Sequence, residues 1–132
     1  MNIVSRITRH TKLSVKAAKH QRLQTPPFMI VFINSICNLT CEHCFYWKEL
    51  NKRDDLTFEE FEKLSLELGD FENLNLSGGE PFIRKEFADI CELFIRNNHV
   101  KNIYVPTNGY FTDRTEEALR QLMKSKTLEM FV

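Results

Sequence analysis

An α/β fold on a parallel sheet is predicted for this chain by two patterns in the sequence. Short apolar runs at residues 28–33, 73–76 and 101–105 alternate with segments whose apolar residues recur at helical spacing. The residues that carry chemistry fall just after each run: cysteines after the first, Gly78-Gly79-Glu80-Pro81 after the second, Thr107-Asn108-Gly109 after the third. Strand–helix alternation implies βαβ crossovers, and the edge at the strand C-termini is where such sheets build their sites. With 132 residues, 42% of them hydrophobic, the chain can bury the core of one small domain.

Residues 1–27 are expected to form a separate basic arm. Six of the eighteen Lys and Arg residues lie there (Arg6, Arg9, Lys12, Lys16, Lys19 and Arg22) with no Asp or Glu, so the arm carries +6 and residues 28–132 carry −6 although the whole is neutral. On a helical wheel the cations share one arc, and Ile3, Ile7, Ala17 and Ala18 lie opposite, which predicts a basic amphipathic helix. Packing of that helix on the acidic body is the preferred reading. Membrane-surface contact, nucleic-acid contact and an organelle transit peptide compete with it. The acidic body argues against a nucleic-acid partner, and the lysines argue against a transit peptide. Pro26-Pro27 ends the helix and opens an extended segment. No run approaches the roughly 20 apolar residues of a membrane span, and the N-terminus lacks the apolar stretch of a secretory signal, so a cytoplasmic location is expected.

Residues 28–33 are nearly all apolar, predicting a strand covered on both faces. The charged stretch 48–55 predicts a solvated connection. Thr57 and Glu60 then make a capping box, and Phe58, Phe61, Leu64 and Leu68 supply the apolar face of a helix running to about Gly69. After the second strand, Phe87, Ile90, Cys91 and Phe94 recur at helical spacing, which makes Cys91 a core residue and not a ligand; Asn97-Asn98 ends that helix. A further helix starts near Asp113, capped by that side chain with Glu116 in the reciprocal position, and buries Ala118, Leu119, Leu122 and Met123. Residues 128–132 open a fourth strand. A strand that belongs mid-sheet leaves an unpaired edge when the chain stops there, so a C-terminally truncated piece is expected.

Cys37, Cys41 and Cys44 are spaced C-x3-C-x2-C on one loop. Zinc sites usually pair C-x2-C in two halves, a redox pair is a single C-x-x-C, and cysteines this crowded bridge poorly as disulfides. The triplet points to an iron–sulfur cluster whose thiolates hold every iron but one. Zinc held by Cys37, Cys41, His43 and Cys44 is the competing ligand set. Downstream, Gly78 and Gly79 lack Cβ atoms, so the backbone there can turn sharply and approach a ligand closely.

The Cys37-Asn38-Leu39 opening and His43-Cys44-Phe45-Tyr46 ending of this loop, followed by Ser77-Gly78-Gly79-Glu80-Pro81, resemble the cluster loop and GGEP motif of the radical S-adenosylmethionine (radical SAM) superfamily. The resemblance implies a partial (β/α)6, TIM-like barrel, with the first three βα units and the start of a fourth strand present here. It implies that Cys37, Cys41 and Cys44 bind three irons of a [4Fe–4S] cluster and that S-adenosylmethionine chelates the fourth. An electron from a donor such as ferredoxin or flavodoxin would split the sulfonium, giving a 5′-deoxyadenosyl radical that abstracts hydrogen from substrate. Gly78, Gly79, Glu80 and Pro81 would contact the methionine end of the cofactor, with the Glu80 carboxylate beside its ammonium. Asn108 would lie near the cofactor too, although Asn-Gly alone is a turn signal. His43 stands where the family usually has an aromatic ring packing near the adenine, a departure that leaves the adenine contact open. Phe45, Tyr46 and Trp47 either line the cavity or shield the cluster. Substrate contacts and any auxiliary clusters come in the family from later strands, so this piece alone is expected to be inactive. No catalytic residue toward substrate is assigned, and peptide or protein modification is a common theme among relatives with this motif set. The alternative is a non-catalytic metal-binding module, holding zinc or an Fe–S cluster for structure or interaction.

Overall fold

The computed structural model describes Thr11, residues 25–123 and the backbone of residues 129–131. The helix expected over the N-terminal arm lies outside the described residues. Four parallel strands, β1 (Phe28–Asn34), β2 (Asn73–Gly78), β3 (Asn102–Tyr104) and β4 (Glu129–Phe131), pair in the order β1-β2-β3-β4. The register sets Phe28 beside Asn73, Asn73 beside Asn102, and Asn102 beside Glu129. Between the strands run α1 (Phe58–Glu67), α2 (Phe87–Asn98) and α3 (Thr112–Leu122), with a 3-10 turn at Pro81–Ile83.

Each strand adds on the same side of the one before, so crossovers of one hand put these helices on one face of the sheet. Val31, Ile33, Leu74, Leu76, Ile103 and Val105 point into that face and form the core with Phe61, Phe94 and Leu122. The alternate residues of β1 point the other way: Phe28, Ile30 and Phe32 are exposed, Ile30 at 58%. The expectation that β1 is covered on both faces therefore fails among the described residues. A one-directional strand order leaves the second face to whatever lies beyond these helices.

The α1 capping box forms as expected: Glu60 N–H donates to Thr57 Oγ1 at 3.2 Å and Thr57 N–H to Glu60 Oε2 at 2.8 Å. Cys91 sits wholly inside α2, and burial pushes its thiol pKa well up, as suits a core residue. The α3 start differs. Phe111 is the N-cap, no side chain caps the helix, and Asp113 lies inside the first turn. Glu116 faces the next turn and pairs with Arg120. Ala118 and Leu122 are buried as expected, but Leu119 is only half-buried and Met123 is 73% exposed. Met123 is the C-cap, where the helical period that would have turned it inward ends.

Candidate functional site

The exits of β1, β2 and β3 are laced together at one edge of the sheet. Past Asn34 the β1 exit runs beside the Gly78-Gly79 turn, whose Gly79 and Glu80 N–H groups donate to Asn34 and Ile36 carbonyls at 2.9 and 2.8 Å. A Cβ on Gly78 would lie 2.2 Å from the Asn34 carbonyl oxygen, and one on Gly79 equally close to that of Ile36. Gly78 also adopts φ +120. The glycines are thus required by close packing of one backbone on another, where the sequence suggested approach to a ligand. The Asn34 side chain adds a bond from Nδ2 to the Glu80 carbonyl at 3.0 Å.

Glu80 is 1% exposed. Its Oε1 accepts from Phe82 N–H at 3.1 Å and from Thr107 Oγ1 at 2.8 Å, and its Oε2 accepts from Asn108 N–H at 2.8 Å. The carboxylate that the resemblance implies beside a cofactor ammonium is turned inward, holding the β3 exit to the β2 exit. Its desolvation is offset by three donors rather than by a cation. Pro81 is buried at the start of the 3-10 turn, where a missing N–H costs nothing.

Asn108 faces the cysteine loop. Its Nδ2 donates to Asn38 Oδ1 at 2.9 Å and lies 4.0 Å from Cys37 Sγ, while its Oδ1 accepts from Tyr110 N–H at 2.9 Å. Cys37 and Cys44 are half-buried, Cys41 and His43 exposed, and no disulfide engages any of the cysteines. Cys44 N–H donates to the Cys41 carbonyl at 3.1 Å, turning the loop between them. Three free, accessible thiols on one loop are the donor set that a cluster with one open iron requires, and in this respect the residues fit the group. Among the described residues no group of three His, Cys, Asp or Glu side chains is gathered about a single metal-ion position.

Tyr46 stacks on Phe32 with centroids 4.8 Å apart and planes 4° from parallel, bringing the loop onto the open sheet face. Burial, then the Asp55, Glu49 and Asp54 carboxylates, push its phenol pKa up. Phe45 and Trp47 remain exposed. The stretch 48–55 is more than a solvated connection: Asn51, Arg53 and Asp55 bond back to Ser35 and Cys37 at the base of the loop. Sequence reading missed these residues, and Ser35 with them. An asparagine in a charged run was the available signal, since asparagine tolerates the left-handed backbone that Asn51 adopts. Arg84 was also missed; its Nη1 donates to the Ile33 and Leu56 carbonyls at 2.8 and 2.7 Å, tying the β1 exit to the start of α1. A groove of about 680 Å³ between α2 and α3, lined by Ile95, Arg96, Glu117 and Arg120, includes none of the motif residues.

Fold and site together define a parallel α/β protein with a thiol-bearing loop held at its strand exits. The family model described as the radical SAM superfamily matches residues 31–131, and the chain belongs to that superfamily of enzymes. It is similar to the GTP 3′,8-cyclase of Pasteurella multocida, 33% identical over 88 residues that make up 63% of this chain and 26% of the relative. The GTP 3′,8-cyclase of Alkaliphilus oremlandii is 30% identical over 100 residues, 71% of this chain and 31% of the relative. That of Haemophilus influenzae strain PittGG is 33% identical over 88 residues, 63% and 26%. The chain thus spans under a third of the length of these curated relatives. No solved structure matches it. No helix among the described residues is long and apolar enough to cross a membrane.

Proposed function

We propose that the chain is part of a radical SAM enzyme in which Cys37, Cys41 and Cys44 hold a [4Fe–4S] cluster and the β2 and β3 exits border the site of S-adenosylmethionine. The observation that carries this reading is the lacing of the three exits. The cysteine loop, the Gly78-Gly79 turn and Asn108 are bonded into one unit at the edge where parallel sheets place their chemistry. When bound, the cluster and cofactor supply a one-electron reductive cleavage that yields a 5′-deoxyadenosyl radical for hydrogen abstraction. The protein's part is to hold the thiols, fix the loop against the sheet and keep the Asn108 amide at Cys37. Hydrogen bonds toward the sulfurs and burial then tune the cluster. A partial (β/α)6 barrel suits the strand order, and a one-electron donor of the ferredoxin or flavodoxin class suits the chemistry.

For the substrate, a peptide or protein finds no support in the relatives, which are named for a reaction on GTP. A purine nucleotide is the class to test first. The alternative of a non-catalytic metal module draws on Glu80, whose carboxylate serves the framework.

The deciding experiment is anaerobic reconstitution with iron and sulfide, followed by EPR of the reduced chain with and without S-adenosylmethionine. About four irons per chain, loss of the signal in Cys41→Ala and a spectrum shifted by the cofactor are expected. Stoichiometric zinc with no cluster would sink this reading and favour the metal module.

A further inference from the structure

We propose that Asp55, Ser35 and Asn51 form a clamp that positions Cys37 for the cluster, an inference that rests on the cluster reading above. Asp55 Oδ1 accepts from the Ser35 N–H at 2.6 Å and its Oδ2 from the Ser35 hydroxyl at 3.3 Å. The same hydroxyl oxygen accepts from Arg53 N–H at 3.1 Å, and the Ser35 carbonyl accepts from Asn51 N–H at 2.9 Å. Asn51 Oδ1 then accepts from the N–H of Cys37 itself at 3.3 Å. The bonds run from the residue two before Cys37, across to the far end of the loop, and back to the cysteine's own amide. Ser35, at 1% exposure, is the buried hub.

The backbone of this stretch is held in an uncommon conformation. Asn51 and Arg53 adopt φ of 62 and 59, in the left-handed region that asparagine tolerates but that costs an arginine free energy. Both are held by bonds from their N–H groups to Ser35, and the Asn51 side chain carries the connection on to the Cys37 N–H. The other two thiols sit on a turn closed by the Cys44-to-Cys41 bond, with Cys41 exposed. The triplet therefore has one anchored member and two on a freer turn. A ligand held this way is oriented before iron arrives, which is what partners around metal ligands accomplish elsewhere. Asp55 and Asn51 are positioning residues, acting on the site only through Cys37.

The test uses the full chain reconstituted with iron and sulfide, and follows iron loss to a ferrous chelator together with the EPR spectrum of the reduced protein. Asp55→Ala and Asn51→Gly should lose iron roughly tenfold faster than the parent and give an altered spectrum. Asn51→Gly keeps the left-handed backbone and removes the acceptor for Cys37. Asp55→Asn and Asn51→Asp, which retain an acceptor oxygen, should restore most of the retention. Parent-like rates and spectra in Asp55→Ala and Asn51→Gly would overturn the proposal, as would loss in Asn51→Asp equal to that in Asn51→Gly. Circular dichroism identifies a variant that does not fold, and if Asp55→Ala is one, the Asn51 pair decides. A parent chain that takes up no iron overturns the cluster reading itself, an outcome distinct from a retained cluster indifferent to these substitutions.

Discussion

Glu80 holds two strand exits together with donors on both carboxylate oxygens and almost no contact with solvent. Glu80→Gln keeps the side chain's size but turns an NH2 group toward one set of donors, either the Asn108 N–H or the Phe82 N–H and Thr107 hydroxyl. A buried donor then faces a donor, and stability to urea should fall by about 1–3 kcal/mol. An unchanged unfolding midpoint would mean that the carboxylate is dispensable to the framework. This role was not legible in the sequence. Gly-Gly-Glu-Pro marked the position, but Thr107 and Asn108 lie 27 and 28 residues further on, and a motif does not announce which distant donors its acid will meet. That three free thiols share one loop was legible, because their spacing is a local property.

At the scale of elements, the best-defined link is Asn98, the last residue of α2. Its Nδ2 donates to the carbonyls of Ser65 and Leu68 at 2.9 Å and of Gly69 at 3.2 Å, so the end of one helix caps the C-terminus of another. Asn98→Ala removes the donor from a wholly buried position and should destabilise the chain by about 2 kcal/mol, measured by urea denaturation. Asn98→Asp offers no donor when ionised and should not rescue it. The sequence marked Asn97-Asn98 as a helix end from composition, and the helix does end at Asn98. That its amide serves α1 depends on α1 packing against α2. The contrasting α3 start has a similar cause. Asp113 and Glu116 match the capping-box pattern, yet Phe111 packs against the core and becomes the N-cap, which moves Asp113 into the helix.

At the scale of the fold, the sheet has a packed face and, among the described residues, an open one, so neighbouring residues of β1 should respond to substitution very differently. Ile33→Ala, on the packed face, should cost about 2–5 kcal/mol through lost burial and the cavity left behind. Ile30→Thr, on the open face, should change stability by less than about 0.5 kcal/mol, and equal losses in denaturant midpoints would contradict this orientation of the strand. Local sequence was enough to read the order of strands and helices, the α1 cap, the core position of Cys91 and the thiol loop. Each of these follows from residues within a turn or two of one another, through periodicity, capping chemistry or ligand spacing. Long-range packing was needed to show that the described residues cover β1 on one side, that the glycine pair accommodates Asn34 and Ile36, that Glu80 turns inward, and that Asp55 and Asn51 reach back to the base of the cysteine loop. These depend on which backbone atoms meet when separate βα units share one sheet edge, and the sequence of each unit alone does not specify that meeting.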